Sequence, residues 1–213
     1  MRDRNAPLTG ADLDSLAWDK MDGLLPAAVQ DRATGRLLML GYMDRDALAA
    51  TLATGLATFW SRSKQRLWQK GETSGNVLRV AAVHEDCDAD ALLVLADAEG
   101  PTCHLGTTSC FGGDGPQGPA WLAELAAIVA RRAAAPPEES YTARLLGEGL
   151  PRIAQKVGEE GVETALAAVT RDAAGTAEEM ADLLYHLTVL MRARGLGWDE
   201  VIEVLQKRHA GRA

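Results

Sequence analysis

The sequence predicts an α+β, strand-rich N-terminal domain followed by an all-α helical bundle. Short apolar runs separated by turn residues dominate the first half, whereas apolar residues recur at three- and four-residue steps in the second. Between the two halves, residues 133–139 contain two consecutive prolines followed by two glutamates, which interrupt the helical pattern. We therefore predict domains at residues 1–132 and 140–213, joined by a linker at 133–139.

The first half contains all of the predicted strands. Extended runs are predicted at residues 27–30, 36–42, 56–61, 76–84 and 91–96. Asp44 is a suitable N-cap for a helix that reaches about residue 54 and stops at Gly55. A second helix is predicted at residues 121–132, leading into the linker.

The second half is predicted to be helical throughout. Its three helices are predicted at residues 150–170, 177–194 and 198–209, with Gly175 and Gly195 near the breaks. Thr176 is the predicted N-cap of the middle helix, because Glu179 follows it at the spacing of a capping box.

Composition and charge restrict the function classes. The chain has 213 residues, of which 47% are hydrophobic, and a net charge of -8, which argues against a nucleic-acid groove. The first residues lack the apolar core of a signal peptide, and no apolar run reaches membrane-spanning length. With three cysteines and no export signal, we expect a cytoplasmic, reducing compartment.

Thiols and carboxylates are concentrated in one part of the first half: Asp86, Cys87, Asp88, Asp90, Cys103 and Cys110. Three thiolates leave the fourth position of a tetrahedral zinc open for water. If residues 86–90 are extended, successive side chains alternate between faces, so that Cys87 points away from the three aspartates. We therefore expect a soft zinc site on one face and a hard magnesium site on the other.

Two simpler interpretations of this stretch remain open. A calcium loop also begins with alternating carboxylates, although Ala91 stands where its sharp turn requires glycine. The cysteines could also be buried small apolar residues, since free cysteine is often buried.

A second set of carboxylates lies on two predicted helices: Glu159, Glu160, Glu163, Glu179 and Asp182. Offsets of three and four residues place side chains on one helix face, where like charges repel. Their convergence is explained by a divalent cation between the helices, and the alternative is a solvated acidic face. Lys156, one turn before Glu160, is either an ion-pair partner within the helix or a phosphate contact.

Cations, hydroxyls and glycines are mixed in two loops of the first half: Trp60, Ser61, Arg62, Ser63, Lys70, Gly71, Glu72, Thr73 and Ser74. Such residues are typical of loops that surround a phosphate, and a flexible basic hairpin is the alternative. His104 lies next to Cys103 and could transfer a proton near a metal, or it could be a structural histidine.

Two families are identified at this point by their motifs. Residues 23–111 resemble phosphoribosyl-AMP cyclohydrolase through Gly41-Tyr42-Met43, residues 59–63, residues 70–76, Asp86-Cys87-Asp88, Cys103-His104 and Ser109-Cys110-Phe111. Residues 140–209 are similar to phosphoribosyl-ATP pyrophosphohydrolase, of the all-α nucleotide pyrophosphatase superfamily, through residues 159–163 and 181–186. One departure is Thr107-Thr108, where the cyclohydrolase family often has a basic or polar residue.

The resemblance implies two consecutive hydrolyses. Phosphoribosyl-ATP would lose pyrophosphate, and the adenine ring of the resulting phosphoribosyl-AMP would then open between N1 and C6. It also implies Mg²⁺ on Asp86, Asp88 and Asp90, Zn²⁺ on Cys87, Cys103 and Cys110, and a second Mg²⁺ site on the five helical carboxylates. Cys87 would come from the partner subunit of a homodimer.

The resemblance also suggests roles for the remaining residues. We expect His104, Glu160 and Glu163 to be catalytic, and the two mixed loops and Lys156 to bind substrate. Two rival functions remain: a housecleaning nucleoside-triphosphate pyrophosphatase with an appended zinc domain, and a metal-stabilised nucleotide-binding regulator without turnover.

Overall fold

The computed structural model describes residues 3–112, 115–116 and 118–210. The chain forms two compact units that divide between residues 117 and 118. The first unit is mixed and the second is helical, which confirms the predicted fold class.

The strands lie in the first unit: β1 (Leu25–Asp31), β2 (Leu37–Met43), β3 (Thr58–Ser61), β4 (Arg66–Gln69), β5 (Leu78–Glu85) and β6 (Leu92–Ala98). Four of them form a sheet of order β2-β1-β6-β5, in which β1 and β6 are parallel and the other two pairs are antiparallel. Strands β3 and β4 form a separate two-stranded hairpin. Helix α1 (Arg45–Thr54) connects β2 to β3.

One face of the four-stranded sheet carries the core of the first unit. Leu25, Ala27 and Val29 alternate with half-exposed residues along β1, as the two-residue period of a strand requires. The ring of Phe59 on β3 packs over Gly41. A Cβ at position 41 would lie 2.3 Å from Phe59 Cδ1, which leaves no room for a side chain there. Glycine at 41 therefore allows the hairpin to pack closely against β2.

The described part of the second unit contains five α-helices: α2 (Trp121–Ala133), α3 (Tyr141–Glu148), α4 (Leu150–Thr170), α5 (Ala173–Arg194) and α6 (Trp198–His209). Only two residues join α4 to α5, so these long helices run antiparallel and pack along each other. The small core of the unit contains Leu125, Val129, Leu145, Ile153 and Val189.

The domain boundary differs from the prediction of a linker at 133–139. Helix α2 packs against α3 and α5, and its Leu125 and Val129 belong to the helical core. The hydroxyl of Ser140, the N-cap of α3, donates to Arg132 O at 2.8 Å and so joins the end of α2 to α3. The two prolines therefore end a helix within the helical unit, and α2 does not belong to the first domain.

Most predicted elements are confirmed, with three local differences. Asp44 caps α1 by accepting from Ala47 N at 2.7 Å, and Gly55 ends it in a left-handed conformation. Strand β4 and helix α3 were not predicted. Helix α5 begins earlier than expected, because Asp172 rather than Thr176 is its N-cap and accepts from Gly175 N at 2.9 Å.

Candidate functional site

A cavity of about 530 Å³ lies in the first unit. It is lined by Met39, Trp68, Lys70, Gly71, Glu72, Thr73, Ser74, Asn76, Pro101, Thr102, Cys103, His104, Gly106 and Cys110. Two of the three cysteines, the predicted proton carrier and one of the two predicted phosphate loops therefore share one cavity. Their roles in catalysis and substrate binding stay predictions.

The loop that follows β4 forms one wall of the cavity. Gly71 has φ +85°, and a Cβ there would lie 2.5 Å from the carbonyl of Asn76, so the tight turn requires glycine. Lys70 is buried, and its ammonium donates to Asn76 O at 3.1 Å. Burial lowers the pKa of Lys70, and the nearby Cys110 and Cys103 oppose that shift. A buried cation therefore lies beside the two thiols.

The neighbouring thiols of Cys103 and Cys110 have pKa values shifted in opposite directions. The backbone N–H of Leu105, followed by the Thr107 hydroxyl, hydrogen-bonds to the Cys103 sulfur and lowers the pKa of that thiol. Desolvation, followed by the charge of Cys103, raises the pKa of Cys110. Because hydrogen bonds to a thiolate favour the form that binds a metal, the pair fits a soft cation such as zinc.

Two further groups in the cavity bear on ligand binding. His104 is exposed, and its Nδ1 lies 3.9 Å from Cys103 Sγ, where a proton carrier was predicted. The hydroxyl of Thr102 is buried and has no hydrogen-bond partner among the described residues. Thr102 was not predicted from the sequence, because a threonine within a loop has no distinctive pattern.

The other predicted phosphate loop is not part of this cavity. Trp60 and Ser61 end β3, and Ser63 Oγ lies 3.4 Å from Ser61 Oγ in the following turn. The Arg62 guanidinium stacks 4.0 Å from the centre of the Tyr42 ring. None of these four predicted substrate-binding residues is among the described residues that line the cavity.

The predicted alternation of residues 86–90 is wrong. Strand β5 ends at Glu85 and β6 begins at Leu92, so these residues form the turn of a hairpin, with Ala89 at φ +60°. Asp86 Oδ1 accepts from the backbone N–H groups of Asp90 and Ala91, at 3.0 and 3.2 Å. A side chain that caps its own turn replaces the expected strand conformation.

The turn gathers thiol and carboxylates instead of separating them. Asp86, Cys87 and Asp88 offer ligand atoms within 4.8 Å of one another, and Cys87 Sγ lies 3.8 Å from Asp88 Oδ1. The expected opposite faces for the two metals are therefore not present. Cys87 is exposed and is not among the described residues that line the cavity.

Lys20 contacts this turn from a distant part of the sequence. Its ammonium lies 2.7 Å from Asp88 Oδ2 and 3.4 Å from Asp90 Oδ2, and it also donates to Asp88 O at 3.2 Å. The hydrogen bond from Lys20 lowers the pKa of Asp88. Lys20 lies on a short 3₁₀ segment, Trp18–Met21. So short a segment has no hydrophobic periodicity from which this contact could be predicted.

A second cluster lies between α4 and α5 of the helical unit. Glu160, Glu179 and Asp182 offer oxygen atoms within 4.8 Å of one another, and Glu160 is only 5% exposed. Lys156 Nζ lies 2.8 Å from Glu160 Oε1, and Arg171 Nη1 lies 2.6 Å from Glu179 Oε1. Three oxygen ligands at this spacing fit a hard divalent cation.

Two of the five predicted carboxylates lie outside this cluster. Glu159 pairs with Lys156 at 2.9 Å and accepts from Gln155 at 2.8 Å. Both contacts lower the pKa of Glu159, and the hydrogen bond from Lys156 has the larger effect. Glu163 is exposed one turn beyond Glu160. The helix offsets alone did not distinguish these positions from the cluster.

Aromatic residues support Glu160 from its buried side. His186 Nδ1 lies 2.9 Å from Asp182 O and 3.5 Å from Glu160 Oε1, and Nε2 lies 3.2 Å from the Tyr141 hydroxyl. A carbonyl oxygen only accepts, so Nδ1–H donates to Asp182 O, and Nε2 shares a hydrogen bond with the Tyr141 hydroxyl. The offset of four residues could have predicted the contact of His186 with Asp182. No helical spacing predicts the contact of Arg171 with Glu179.

Among the described residues, three groups could therefore hold a metal: the cavity thiols Cys103 and Cys110, the turn at residues 86–90, and the carboxylates between α4 and α5. A phosphoribosyl-AMP cyclohydrolase family model matches residues 39–112, and a phosphoribosyl-ATP pyrophosphohydrolase family model matches residues 122–209. The second match includes α2, in agreement with the packing of that helix.

Curated relatives match almost the whole chain. The histidine biosynthesis bifunctional protein HisIE of Xanthomonas campestris pv. campestris is 59% identical, over 94% of this chain and 96% of that protein. The proteins of the same name from Escherichia coli (strain K12) and Photobacterium profundum are 54% and 53% identical, over 95% and 92% of this chain and 99% and 97% of theirs. The chain therefore belongs to the family of bifunctional histidine-biosynthesis proteins that carry both domains.

Proposed function

We propose that the chain is a metal-dependent bifunctional hydrolase of histidine biosynthesis. Its helical unit hydrolyses phosphoribosyl-ATP to phosphoribosyl-AMP and pyrophosphate, and its first unit then opens the adenine ring between N1 and C6. The observation that carries this proposal is the cavity that gathers Cys103, Cys110 and His104 with the loop at residues 70–74, on the same chain as the carboxylate cluster.

In the first unit, Cys103 and Cys110 would hold zinc. When bound, zinc lowers the pKa of a water ligand to about 7 and so supplies a nucleophile at neutral pH. His104 is positioned at the cavity to carry the proton, and the buried ammonium of Lys70 with the hydroxyls of Thr73 and Ser74 offers groups for a substrate phosphate. The turn with Asp86, Asp88 and Asp90 would hold magnesium.

In the helical unit, Glu160, Glu179 and Asp182 would hold magnesium, which neutralises charge on a triphosphate when bound. Glu160 is kept in place by Lys156 and His186, so its carboxylate is fixed before substrate binds. Glu163 is exposed beside the cluster, where it can complete the ligand set or orient water. Lys156 is the phosphate contact proposed for this unit.

We also propose a homodimer in which Cys87 completes the zinc site of the partner. In support, the described chain places Cys103 and Cys110 in the cavity and exposes Cys87 on the β5–β6 turn. Exposed apolar residues on the helices also suggest a covered surface: Val162, Leu166, Val169, Met180, Leu184, Ile202, Val204 and Leu205. Exposed apolar residues in such number on three helices are typical of a subunit interface.

The setting of the protein follows from its thiols. All three cysteines are free, and thiolate ligands persist in a reducing compartment, so we propose a cytoplasmic enzyme. Within the part of the chain that the structure describes, no helix has the length and apolarity to cross a membrane. The acidic charge supports small-molecule substrates over nucleic acid.

An assay with purified protein tests the proposed function. Phosphoribosyl-ATP is supplied with Mg²⁺ and Zn²⁺, and both pyrophosphate release and the absorbance change of ring opening are followed. We expect pyrophosphate release to precede ring opening. Comparable turnover of unmodified nucleoside triphosphates, without ring opening, would instead favour the housecleaning function, which the full-length match to bifunctional relatives does not favour.

A further inference from the structure

Arg171 is a cation at the edge of the helical carboxylate cluster with no role assigned above. It follows the last residue of α4, and its Nη1 lies 2.6 Å from Glu179 Oε1. The arginine side chain is 53% exposed, whereas that of Glu179 is 14% exposed. A guanidinium at the surface therefore reaches a mostly buried carboxylate.

The aliphatic part of Arg171 is held by the start of α5. A Cβ at Gly175 would lie 3.1 Å from Arg171 Cδ and 3.3 Å from Arg171 Cβ, so a larger residue there would press against the side chain of Arg171. Glycine in a helix costs about 1 kcal/mol relative to alanine. The first turn of α5 thus supports the stem of Arg171 and leaves its guanidinium half exposed.

The charges of the cluster show what this arginine does before a metal binds. Glu160, Glu179 and Asp182 lie within 4.8 Å of one another, and like charges at this distance repel. Lys156 neutralises Glu160 from α4, and Arg171 neutralises Glu179 from the α4–α5 connection. When a divalent cation binds the carboxylates, it neutralises Glu179 and so weakens the attraction between Glu179 and Arg171.

We propose that Arg171 exchanges Glu179 for a phosphate group of the substrate triphosphate when the divalent cation binds. The planar guanidinium matches phosphate oxygens in a two-pronged geometry, and its exposed position leaves it free to turn from one anion to the other. This inference rests on the proposed pyrophosphohydrolase function and adds a specificity-determining residue to it.

Inorganic pyrophosphate is the probe for this exchange. Its binding to the full chain with Mg²⁺ is measured by calorimetry for the wild type, Arg171→Gln and Arg171→Lys. We expect the pyrophosphate Kd of Arg171→Gln to rise about tenfold, since hydrogen bonds between charged groups are strong. Arg171→Lys should recover part of that loss. Arg131→Gln is the matched control, because Arg131 forms an exposed ion pair with Glu124 on α2, and it should leave the Kd unchanged.

A second measurement separates phosphate binding from a structural role. Mn²⁺ binding without pyrophosphate is followed by electron paramagnetic resonance, and the relevant sites are those lost in Asp182→Asn. Arg171→Gln should keep or increase their Mn²⁺ affinity, because the competing cation is gone. A parallel loss of Mn²⁺ and pyrophosphate affinity would mean that Arg171 only positions Glu179, and would overturn the proposal.

Failure of the proposal and failure of the proposed function give different results. If the wild type turns over phosphoribosyl-ATP and Arg171→Gln binds pyrophosphate with an unchanged Kd, only the exchange is overturned. A folded wild-type chain that neither binds pyrophosphate with Mg²⁺ nor hydrolyses phosphoribosyl-ATP overturns both.

Discussion

The two candidate sites differ in how much of each one chain provides. In the helical unit, Glu160, Glu179 and Asp182 come together from α4 and α5 of the same chain. In the first unit, the cavity contains Cys103 and Cys110, whereas Cys87 lies exposed on a hairpin turn. One helical hairpin therefore brings the three carboxylates together, whereas the described first unit brings only two of its three thiols into the cavity.

The chemistry of the ligands differs in the same way. Carboxylate oxygens suit magnesium, which exchanges readily, whereas thiolates suit zinc and hold it tightly. Lysine or arginine side chains cover the carboxylates of the helical site, at Lys156 and Arg171. In the cavity, backbone N–H and hydroxyl groups stabilise the Cys103 thiolate. Counter-charges thus stabilise the helical carboxylates, whereas hydrogen bonds at Cys103 and the ammonium of Lys70 stabilise the cavity thiols.

Metal removal is expected to have the largest effect and to separate the two sites. Chelation of all metals should abolish both activities. Mg²⁺ alone should then restore pyrophosphate release from phosphoribosyl-ATP but leave ring opening near background, because the thiols require a softer cation. Ring opening should return only when Zn²⁺ is added as well.

The control is the metal content measured on the same samples. Restoration of ring opening by Mg²⁺ in a chain shown to be free of zinc would remove the distinction between the sites.

Substitution within the acidic helix is expected to separate chemistry from folding. Glu163→Gln and Glu160→Gln should both abolish pyrophosphate release while added phosphoribosyl-AMP is still ring-opened. Only Glu160→Gln should also destabilise the helical unit, by about 1 kcal/mol, because it removes the buried ion pair of Glu160 with Lys156, which then keeps only its pair with Glu159. Glu163 is exposed, so its substitution should leave the unfolding midpoint unchanged.

Activity and thermal unfolding are measured on the same preparations of both variants. Near-wild-type pyrophosphate release by Glu163→Gln would remove that residue from the catalytic set, and equal destabilisation by both variants would contradict the burial argument.

Much of the fold was predictable, because periodicity reports which face of an element is buried. The alternation in β1 and the three- and four-residue steps of α4 and α5 correspond to the observed elements. The loop at residues 70–74 and the thiols were predicted separately from their composition, and the structure brings that loop, Cys103 and Cys110 into one cavity.

The predictions that were wrong or missing concern contacts that a local sequence pattern does not report. Asp86 caps its own turn, so a run that reads as alternating became a bend. The prolines at 136 and 137 end α2 without ending the domain, since Leu125 and Val129 are buried against other helices. Lys20 and Arg171 reach acidic groups 68 and 8 residues away, and such long-range pairs leave no periodic signal.

Subunit mixing is expected to recover a part of the ring-opening activity. Cys87→Ser and Cys103→Ser should each be inactive in ring opening. Refolding them together should restore about a quarter of wild-type activity, because half of randomly paired dimers are mixed and each mixed dimer has one complete site. The recovered rate is compared with that of each variant refolded alone.

Pyrophosphate release serves as the internal control for subunit mixing, since neither cysteine lies in the helical unit. It should be equal in all samples. No recovery in a mixture shown to contain mixed dimers would place all three cysteines of a site on one chain and end the contrast between the two sites.

The smallest expected effect concerns whether the hairpin turn of the first unit is also covered by a counter-charge. Lys20 lies on Asp88 and Asp90 much as Lys156 lies on Glu160, but both Lys20 and Asp88 are about half exposed. Lys20→Met should therefore tighten Mg²⁺ binding at the turn about fivefold, the scale of one unit charge removed at contact distance in water. The measurement is a Mg²⁺ titration by calorimetry at low ionic strength.

Three variants make this last test specific. Lys20→Arg keeps the charge and should bind Mg²⁺ as the wild type does. Arg79→Met removes a cation from an exposed pair with Glu99 in the same unit and should also have no effect. Asp88→Asn added to Lys20→Met should abolish the tightened site. Because the pair is exposed, salt should reduce the difference between Lys20→Met and wild type. A fivefold change that persists at high salt, or that Arg79→Met reproduces, would show that Lys20 does not compete locally for the carboxylates.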